Sequence, residues 1–192
     1  MEELLNSLIA EKTHCYFISP HFDDAVLSCG SAITMLAGKT KVSVINVFTN
    51  TNNGPYTTSA KRFLKISGGY GNAVDLFKVR KEEDRKVMMK LNVDYMNLGL
   101  VDALFRVKGR FGIISSVIPE LNHLYPTYRW HIVKKISPAD PTLLSLNELL
   151  QKIPRQNCVA FIPFGVGHHC DHLLVKKACE KVFTKVFYYS EF

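Results

Sequence analysis

Short apolar runs alternate along this chain with amphipathic segments of helical period. Strands are predicted at five runs rich in branched and aromatic residues, at 14–18, 41–48, 93–98, 157–162 and 186–189. Helices are predicted at 2–12, from the turn at residue 24 to about residue 38, and at 73–91, 110–124, 142–151 and 173–183. Strands and helices that alternate in this way predict an α/β fold: a three-layer, Rossmann-like sandwich with a mostly parallel sheet.

Two segments lack a usable pattern. Residues 49–72 are rich in Thr, Asn, Ser and Gly and are predicted to be a loop. The loop leaves the second strand at its carboxyl end, so we expect either a wall or lid of a site or a surface excursion without structure. Residues 126–138 allow no assignment.

Composition narrows the class of protein. The chain has 192 residues, 47% of them hydrophobic and 21% charged, which fits one globular domain. A net charge of +7 favours acidic partners, but the basic residues are scattered, so we expect no nucleic-acid interface. Five cysteines and an acidic N-terminal segment predict reduced thiols, a cytoplasmic location and no signal peptide. No run is apolar enough to span a membrane, and no oligomeric state is predicted.

Three chemically versatile residues follow the first predicted strand. His21, Asp23 and Asp24 lie at the carboxyl end of that strand, where ligands bind in open parallel sheets. His21 and Asp24 can face one point and both suit zinc, while Asp23 is left free for proton transfer. Alternatively, an aspartate here caps the following helix, which would explain one carboxylate better than two.

A second polar cluster, His168–His172, follows the fourth predicted strand. His172 would complete a set of two histidines and one carboxylate, which is typical of hydrolytic zinc sites. His169 has the carboxylate of Asp171 nearby, which could orient its ring. A surface or capping role is the simpler explanation for any single histidine. Three histidines in five residues, at a position equivalent to the first turn, favour a metal site.

Both clusters resemble known signatures. His21-Phe22-Asp23-Asp24 and His169-Cys170-Asp171-His172 are similar to the two motifs of the PIG-L/LmbE family of zinc-dependent N-deacetylases. Segments 80–84, 91–93 and 98–103 resemble the family's central helix, strand and aspartate-bearing loop. The departures are Phe22 and Cys170 for two usual prolines, Ala25 for a common glutamate and Ser31 for a common glycine. Family members commonly continue beyond the position of Phe192, so a shortened pocket is expected.

The resemblance implies a Rossmann-like single domain over residues 1–192 that removes an N-acetyl group from an amino sugar or glycoconjugate. It implies zinc as the cofactor and a small N-acetylated molecule as the partner. His21, Asp24 and His172 would bind zinc, and Asp23 would be the general base. His169 would stabilise the oxyanion or protonate the leaving amine, with Asp171 orienting it. Asp102 and Arg80 would contact the substrate.

Two alternatives remain open at this stage. The first is a non-catalytic nucleotide-binding module. Gly38-Lys39-Thr40 resembles the end of a phosphate loop, but Ile33 replaces the first glycine of that pattern and the segment follows a predicted helix. The glycine-rich Gly68-Gly69-Tyr70-Gly71 does not match the dinucleotide fingerprint. The second is a metal-dependent hydrolase that acts on a different amide, or a relative that binds its ligand without turnover.

Overall fold

Five parallel strands form one sheet at the centre of the molecule. The computed structural model describes residues 2–109 and 117–191. The strands are β1 His14–Ser19, β2 Val42–Asn46, β3 Asp94–Asn97, β4 Cys158–Pro163 and β5 Val186–Tyr189. They lie in the order β3-β2-β1-β4-β5, and each neighbouring pair is parallel. The predicted three-layer α/β fold is therefore confirmed.

Helices cover both faces of the sheet. They are α1 Glu2–Ala10, α2 Asp24–Leu36, α3 Thr58–Ile66, α4 Ala73–Leu91, α5 Thr142–Gln151 and α6 Cys170–Val182. Three 3₁₀ turns, Ala103–Phe105, Pro119–Leu121 and Val166–His168, and a π-helix, Tyr128–Ile132, lie in the connections. No helix in the described part of the chain is long and apolar enough to cross a membrane.

The two-residue period of the strands divides the core into two layers. Tyr16 and Ile18 of β1 belong to a buried cluster that includes α5 and α6. Cys15 and Phe17 belong to the cluster on the opposite face, with α1, α2 and Met88 of α4. The central strands β1 and β4 are buried along nearly their whole length, which holds their carboxyl ends rigidly.

The strand order reverses between β1 and β4, because β1 continues to β2 on one side and β4 to β5 on the other. Loops at the carboxyl ends of such strands diverge and leave a crevice, which is where ligands bind in open α/β sheets. The loop after β1 carries His21, and the loop after β4 carries His169. The fold therefore brings the two predicted clusters to one crevice.

Three predictions differ from the structure. The loop prediction for 49–72 missed α3, which begins at a cap where Thr57 accepts a hydrogen bond from the Ala60 amide and which buries Ala60 and Leu64. Helix α6 begins at Cys170 rather than at residue 173, so Asp171 and His172 lie in its first turn. Of the predicted helix 110–124, residues 110–116 lie outside the described residues, and Pro119–Leu121 form a 3₁₀ turn in place of an α-helix.

Candidate functional site

The turn from β1 to α2 positions the first cluster. The Ser19 hydroxyl accepts a hydrogen bond from the Ala25 amide and donates to the His21 carbonyl, which closes the turn. Asp24 Oδ2 accepts from the His21 amide at 2.8 Å and lies 3.1 Å from His21 Nδ1. Asp23 occupies the N-cap position of α2, but its side chain makes no capping hydrogen bond. The capping alternative therefore does not account for Asp23, which is exposed.

The turn from β4 to α6 positions the second cluster. Gly165 and Gly167 have left-handed φ values of 87° and 76°, which glycine adopts without strain. A Cβ atom at Gly165 would also lie 3.1 Å from Leu173 Cδ2. This tight turn places His169 at the N-cap of α6, where its Nδ1 accepts from the Asp171 amide at 3.3 Å.

The Asp24 carboxylate lies between the two histidines predicted as metal ligands. Asp24 Oδ2 lies 3.1 Å from His21 Nδ1 and 3.4 Å from His172 Nε2. Tetrahedral zinc with bonds of about 2.0–2.1 Å separates its ligand atoms by roughly 3.3–3.4 Å, so Asp24 lies at a suitable distance from each histidine. Nitrogens of His21, His169 and His172 also lie within 4.8 Å of one another.

Asp171 and Asp102 form another possible donor group on the opposite edge of the His21 ring. Their carboxylates lie 3.3 Å and 3.5 Å from His21 Nε2. Asp171 is fully buried, and it already accepts hydrogen bonds from Arg106 at 2.6 Å and from the Ala103 amide at 2.9 Å. Asp171 is therefore already committed to protein partners, which leaves the Asp24 side of the ring as the better candidate for a cation.

The contacts of Asp171 differ from those expected for a residue that orients the His169 ring. Its carboxylate contacts His21, whereas His169 meets only the backbone amide of Asp171. The first turn of α6 causes this, because residue 171 points inward beneath His21. Asp171 orients a predicted metal ligand rather than the His169 ring.

Sequence reasoning missed Glu191, which performs the same task for His172. Glu191 Oε1 lies 2.8 Å from His172 Nδ1 and accepts the Gly165 amide at 2.8 Å. Carboxylates that hold the second nitrogen of a metal-binding histidine fix its orientation. His21 Nδ1 and His172 Nε2 are the nitrogens left facing Asp24. No motif surrounds Glu191 in the sequence, so no local signal could have revealed it.

Electrostatics favour a cation at this point. Burial acts to lower the pKa of His21, but hydrogen bonds to Asp171 and Asp24 outweigh it and hold that pKa well above its usual value. Burial acts to raise the pKa of Asp24, yet contact with His21 keeps it well below its usual range. Burial raises the pKa of Asp102. A divalent cation or a proton on His21 supplies the positive charge that these carboxylates favour.

His169 is neutral at the ordinary pH of a cell, because its pKa is lowered. Burial, followed by the nearby positive charge of His21, lowers the pKa of His169 to about 3. Since its Nδ1 accepts a hydrogen bond, the neutral ring carries its proton on Nε2. His169 therefore offers an N–H donor at neutral pH.

One cavity of about 310 Å³ is lined by every predicted site residue except Asp171, which lies behind it. Arg80 stacks over Phe63 with its Cζ 5.6 Å from the ring centroid, and Asp102 accepts the Leu104 amide at 2.8 Å. Tyr128, Ile132, Val133 and Val166 add apolar surface. The cavity therefore combines a polar floor with partly aromatic walls.

Comparison with known proteins identifies the family of this chain. A family model described as PIG-L: GlcNAc-PI de-N-acetylase matches residues 16–183. The chain belongs to the PIG-L family. The match spans both halves of the site, from β1 to the end of α6. A search of curated proteins finds no match.

Solved structures share the fold of this PIG-L family chain. One is the zinc-inhibited form of teicoplanin deacetylase Orf2, with 22% identity, a TM-score of 0.66 and coverage of 88% of this chain and 63% of that one. N,N'-diacetylchitobiose deacetylase from Pyrococcus horikoshii has 16% identity, a TM-score of 0.52 and coverage of 95% and 58%. GalB, the 4-carboxy-2-hydroxymuconate hydratase from Pseudomonas putida KT2440, has 14% identity, a TM-score of 0.50 and coverage of 88% and 55%. This chain thus spans little more than half of the longer proteins.

Proposed function

We propose that this protein is a metal-dependent N-deacetylase that acts on an N-acetylated amino sugar or glycoconjugate. The convergence of His21, Asp24 and His172 beside Asp23 and His169 in one cavity carries the proposal. Family membership supports it, and two of the structural neighbours are deacetylases, one of them of N,N'-diacetylchitobiose.

The proposed cofactor is zinc, held by His21, Asp24 and His172. Two imidazoles and one carboxylate leave a coordination position open, as catalytic zinc sites require. A divalent ion bound there supplies a Lewis acid and makes water a better nucleophile near neutral pH. Teicoplanin deacetylase Orf2, which shares this fold, has a zinc-inhibited form, so zinc acts on that protein, there as an inhibitor.

The side chains of this protein supply the proton transfers and the charge stabilisation. Asp23, exposed on the cavity, accepts a proton as water adds to the amide carbon. The Nε2–H of His169 donates a hydrogen bond to the developing oxyanion. As the C–N bond breaks, Asp23 returns the proton to the departing nitrogen, which leaves acetate and a free amine. A histidine with a pKa of about 3 suits hydrogen-bond donation better than acid catalysis.

The cavity walls suit a sugar. Arg80 and Asp102 provide a cation and a carboxylate for hydroxyl groups, and the exposed ring of Tyr128 offers a face for the sugar's C–H surface. These residues would orient the substrate so that its acetamido group faces the metal ligands.

The test measures acetate release from a panel of N-acetylated amino sugars and glycoconjugates, using zinc-loaded protein. Asp23→Asn should lower kcat by about 10²–10⁴-fold with zinc content unchanged, because Asp23 is not a ligand. Asp94→Asn changes an exposed aspartate on the edge strand β3 and is the matched control. Full turnover by Asp23→Asn would remove Asp23 from the base role.

One alternative keeps the metal and changes the reaction, because the structurally similar GalB is a hydratase. Zinc binding without acetate release from any member of the panel would favour that alternative.

The position of the candidate phosphate loop argues against the nucleotide-binding alternative. Residues 38–40 connect the end of α2 to β2, whereas a phosphate loop connects a strand to a following helix.

A further inference from the structure

Arg106 lies at the centre of a buried ion-pair network behind the candidate metal site. It is only 6% exposed, and it donates to Asp171 Oδ1 at 2.6 Å and to Asp140 Oδ2 at 2.5 Å. Its remaining donors reach the Val101 carbonyl at 2.8 and 3.1 Å. The guanidinium carbon also lies 4.9 Å from the centroid of the Phe48 ring. Four of the five N–H groups are therefore hydrogen-bonded, and an aromatic ring lies against the guanidinium.

The network is directed towards His21. Asp171 uses Oδ1 for Arg106 and Oδ2 for His21 Nε2 and the Ala103 amide. A fully buried carboxylate is costly without a partner, and Arg106 provides the opposite charge. The rigid fork of the guanidinium lets Arg106 hold Asp171 through Nη2 and Asp140 through Nη1 at once, a geometry that a lysine cannot reproduce.

The other end of the network anchors a wall of the cavity. Asp140 accepts the Tyr125 hydroxyl at 2.8 Å and the Thr142 amide at 3.0 Å, at the start of α5. The chain between Tyr125 and Asp140 includes Ile132, which lines the cavity. Arg106 thus links this wall to the metal side of the site.

We propose that Arg106 is a positioning residue for the metal centre, which fixes Asp171 so that His21 keeps Nδ1 facing Asp24 and His172. The proposal rests on the metal site described under the proposed function. Arg106 does not touch the ion and acts through two intervening side chains. Loss of its donors frees the Asp171 carboxylate to rotate, and the His21 ring loses the contact that sets its angle.

The test measures the Kd for zinc by competition with a chromophoric chelator, using protein shown to be folded by circular dichroism. Arg106→Met should weaken zinc binding by about 10–100-fold, the usual effect of losing an outer-shell partner of a metal ligand. Arg106→Lys keeps the charge but cannot hold Asp171 and Asp140 at once in the same geometry, and it should lose less. Arg85→Met removes a surface arginine whose partner is the exposed Glu82, and it should leave the Kd unchanged.

A double-mutant cycle separates positioning from general destabilisation. Asp171→Asn should weaken zinc binding to a similar extent, and the double variant with Arg106→Met should lose little more, because both changes break the same link. The visible spectrum of the cobalt-loaded protein should also change in Arg106→Lys. A folded Arg106→Lys with wild-type zinc affinity and cobalt spectrum would overturn the proposal, even if Arg106→Met fails to fold. Fully additive losses in the cycle would also overturn it.

The zinc affinity of the Arg106 variants tests the positioning role independently of deacetylase activity. Zinc affinity that falls in the Arg106 variants supports the positioning role even if no acetate is released from any substrate. Acetate release together with unchanged zinc affinity in those variants would leave the proposed function standing and remove Arg106 from it.

Discussion

Asp84→Asn should stabilise this protein at neutral pH. Asp84 is 5% exposed on α4, and its Oδ2 accepts a hydrogen bond from Asn46 Nδ2 at 2.9 Å. Among the described residues, Asp84 Oδ1 and Asn46 Oδ1 have no hydrogen-bond partner. Burial raises the pKa of Asp84 to about 6, aided by the charge of Asp23 and opposed by the bond from Asn46. The ionised carboxylate is therefore disfavoured in the folded state.

The magnitude follows from linkage between protonation and folding. Below pH 3.8 the carboxyl group is neutral in both the folded and unfolded states, so it costs nothing. Stability falls as the pH rises from there to about 6, and the loss is constant at higher pH. A pKa of about 6 rather than 3.8 corresponds to about 3 kcal/mol of unfolding free energy. Because Asp84 borders an open cavity, solvent reduces the cost of its ionisation. We therefore expect Asp84→Asn to raise the unfolding free energy by about 1–3 kcal/mol.

Asparagine is neutral at every pH, and its amide group can donate to the unpartnered Asn46 Oδ1. Urea unfolding at pH 7.5, with a chelator present, should show Asp84→Asn more stable than the wild type, and the difference should shrink by about half at pH 5. Glu83→Gln, at the exposed neighbouring position, should change little at either pH. A variant that is less stable at pH 7.5, or a difference that does not depend on pH, would refute this account of Asp84.

Three further predictions concern the metal site and the core. Glu191→Gln should weaken zinc binding by about 10–100-fold in chelator competition, because His172 loses its charged partner; unchanged binding would show that this contact is dispensable. Chelation of zinc held at 100 times its Kd should lower the unfolding free energy by about 2.7 kcal/mol, seen as a lower melting temperature; an unchanged melt would contradict a metal site. Leu146→Ala, at a fully buried position of α5, should cost about 2–5 kcal/mol in urea unfolding, whereas Leu144→Ala, 69% exposed on the same helix, should cost only a few tenths; equal losses would contradict the assigned core.

Local sequence signals predicted a helix correctly where residues close together in the chain determine its two ends. The predicted bounds of α4 and α5 match the structure, because Asn72 and Asn92 cap the two ends of α4 and Pro141 directly precedes α5. Helix α3 was not predicted, because it is short and lies in a polar segment. The Thr57 cap and the buried pair Ala60 and Leu64 are the sequence features that mark it.

The supporting residues of the site could not be predicted from sequence. Arg106 and Glu191 act on Asp171 and His172 across distances of 65 and 19 residues in the chain, and nothing beside them in sequence indicates those partners. The motif residues were visible because several share one turn. The residues that orient them depend on tertiary packing, so they emerge only from the folded structure.

The position of β1 at the middle of the sheet has a consequence for synthesis of the protein. His21 and Asp171 are separated by 150 residues, so a ribosome that adds about 5–20 residues per second leaves His21 without that partner for roughly 8–30 s. Until then, the β1 turn supplies only His21 and its neighbouring carboxylates to the proposed metal site. If zinc binds as proposed, its loading would follow the synthesis of β4 and α6, when both halves of the sheet are joined.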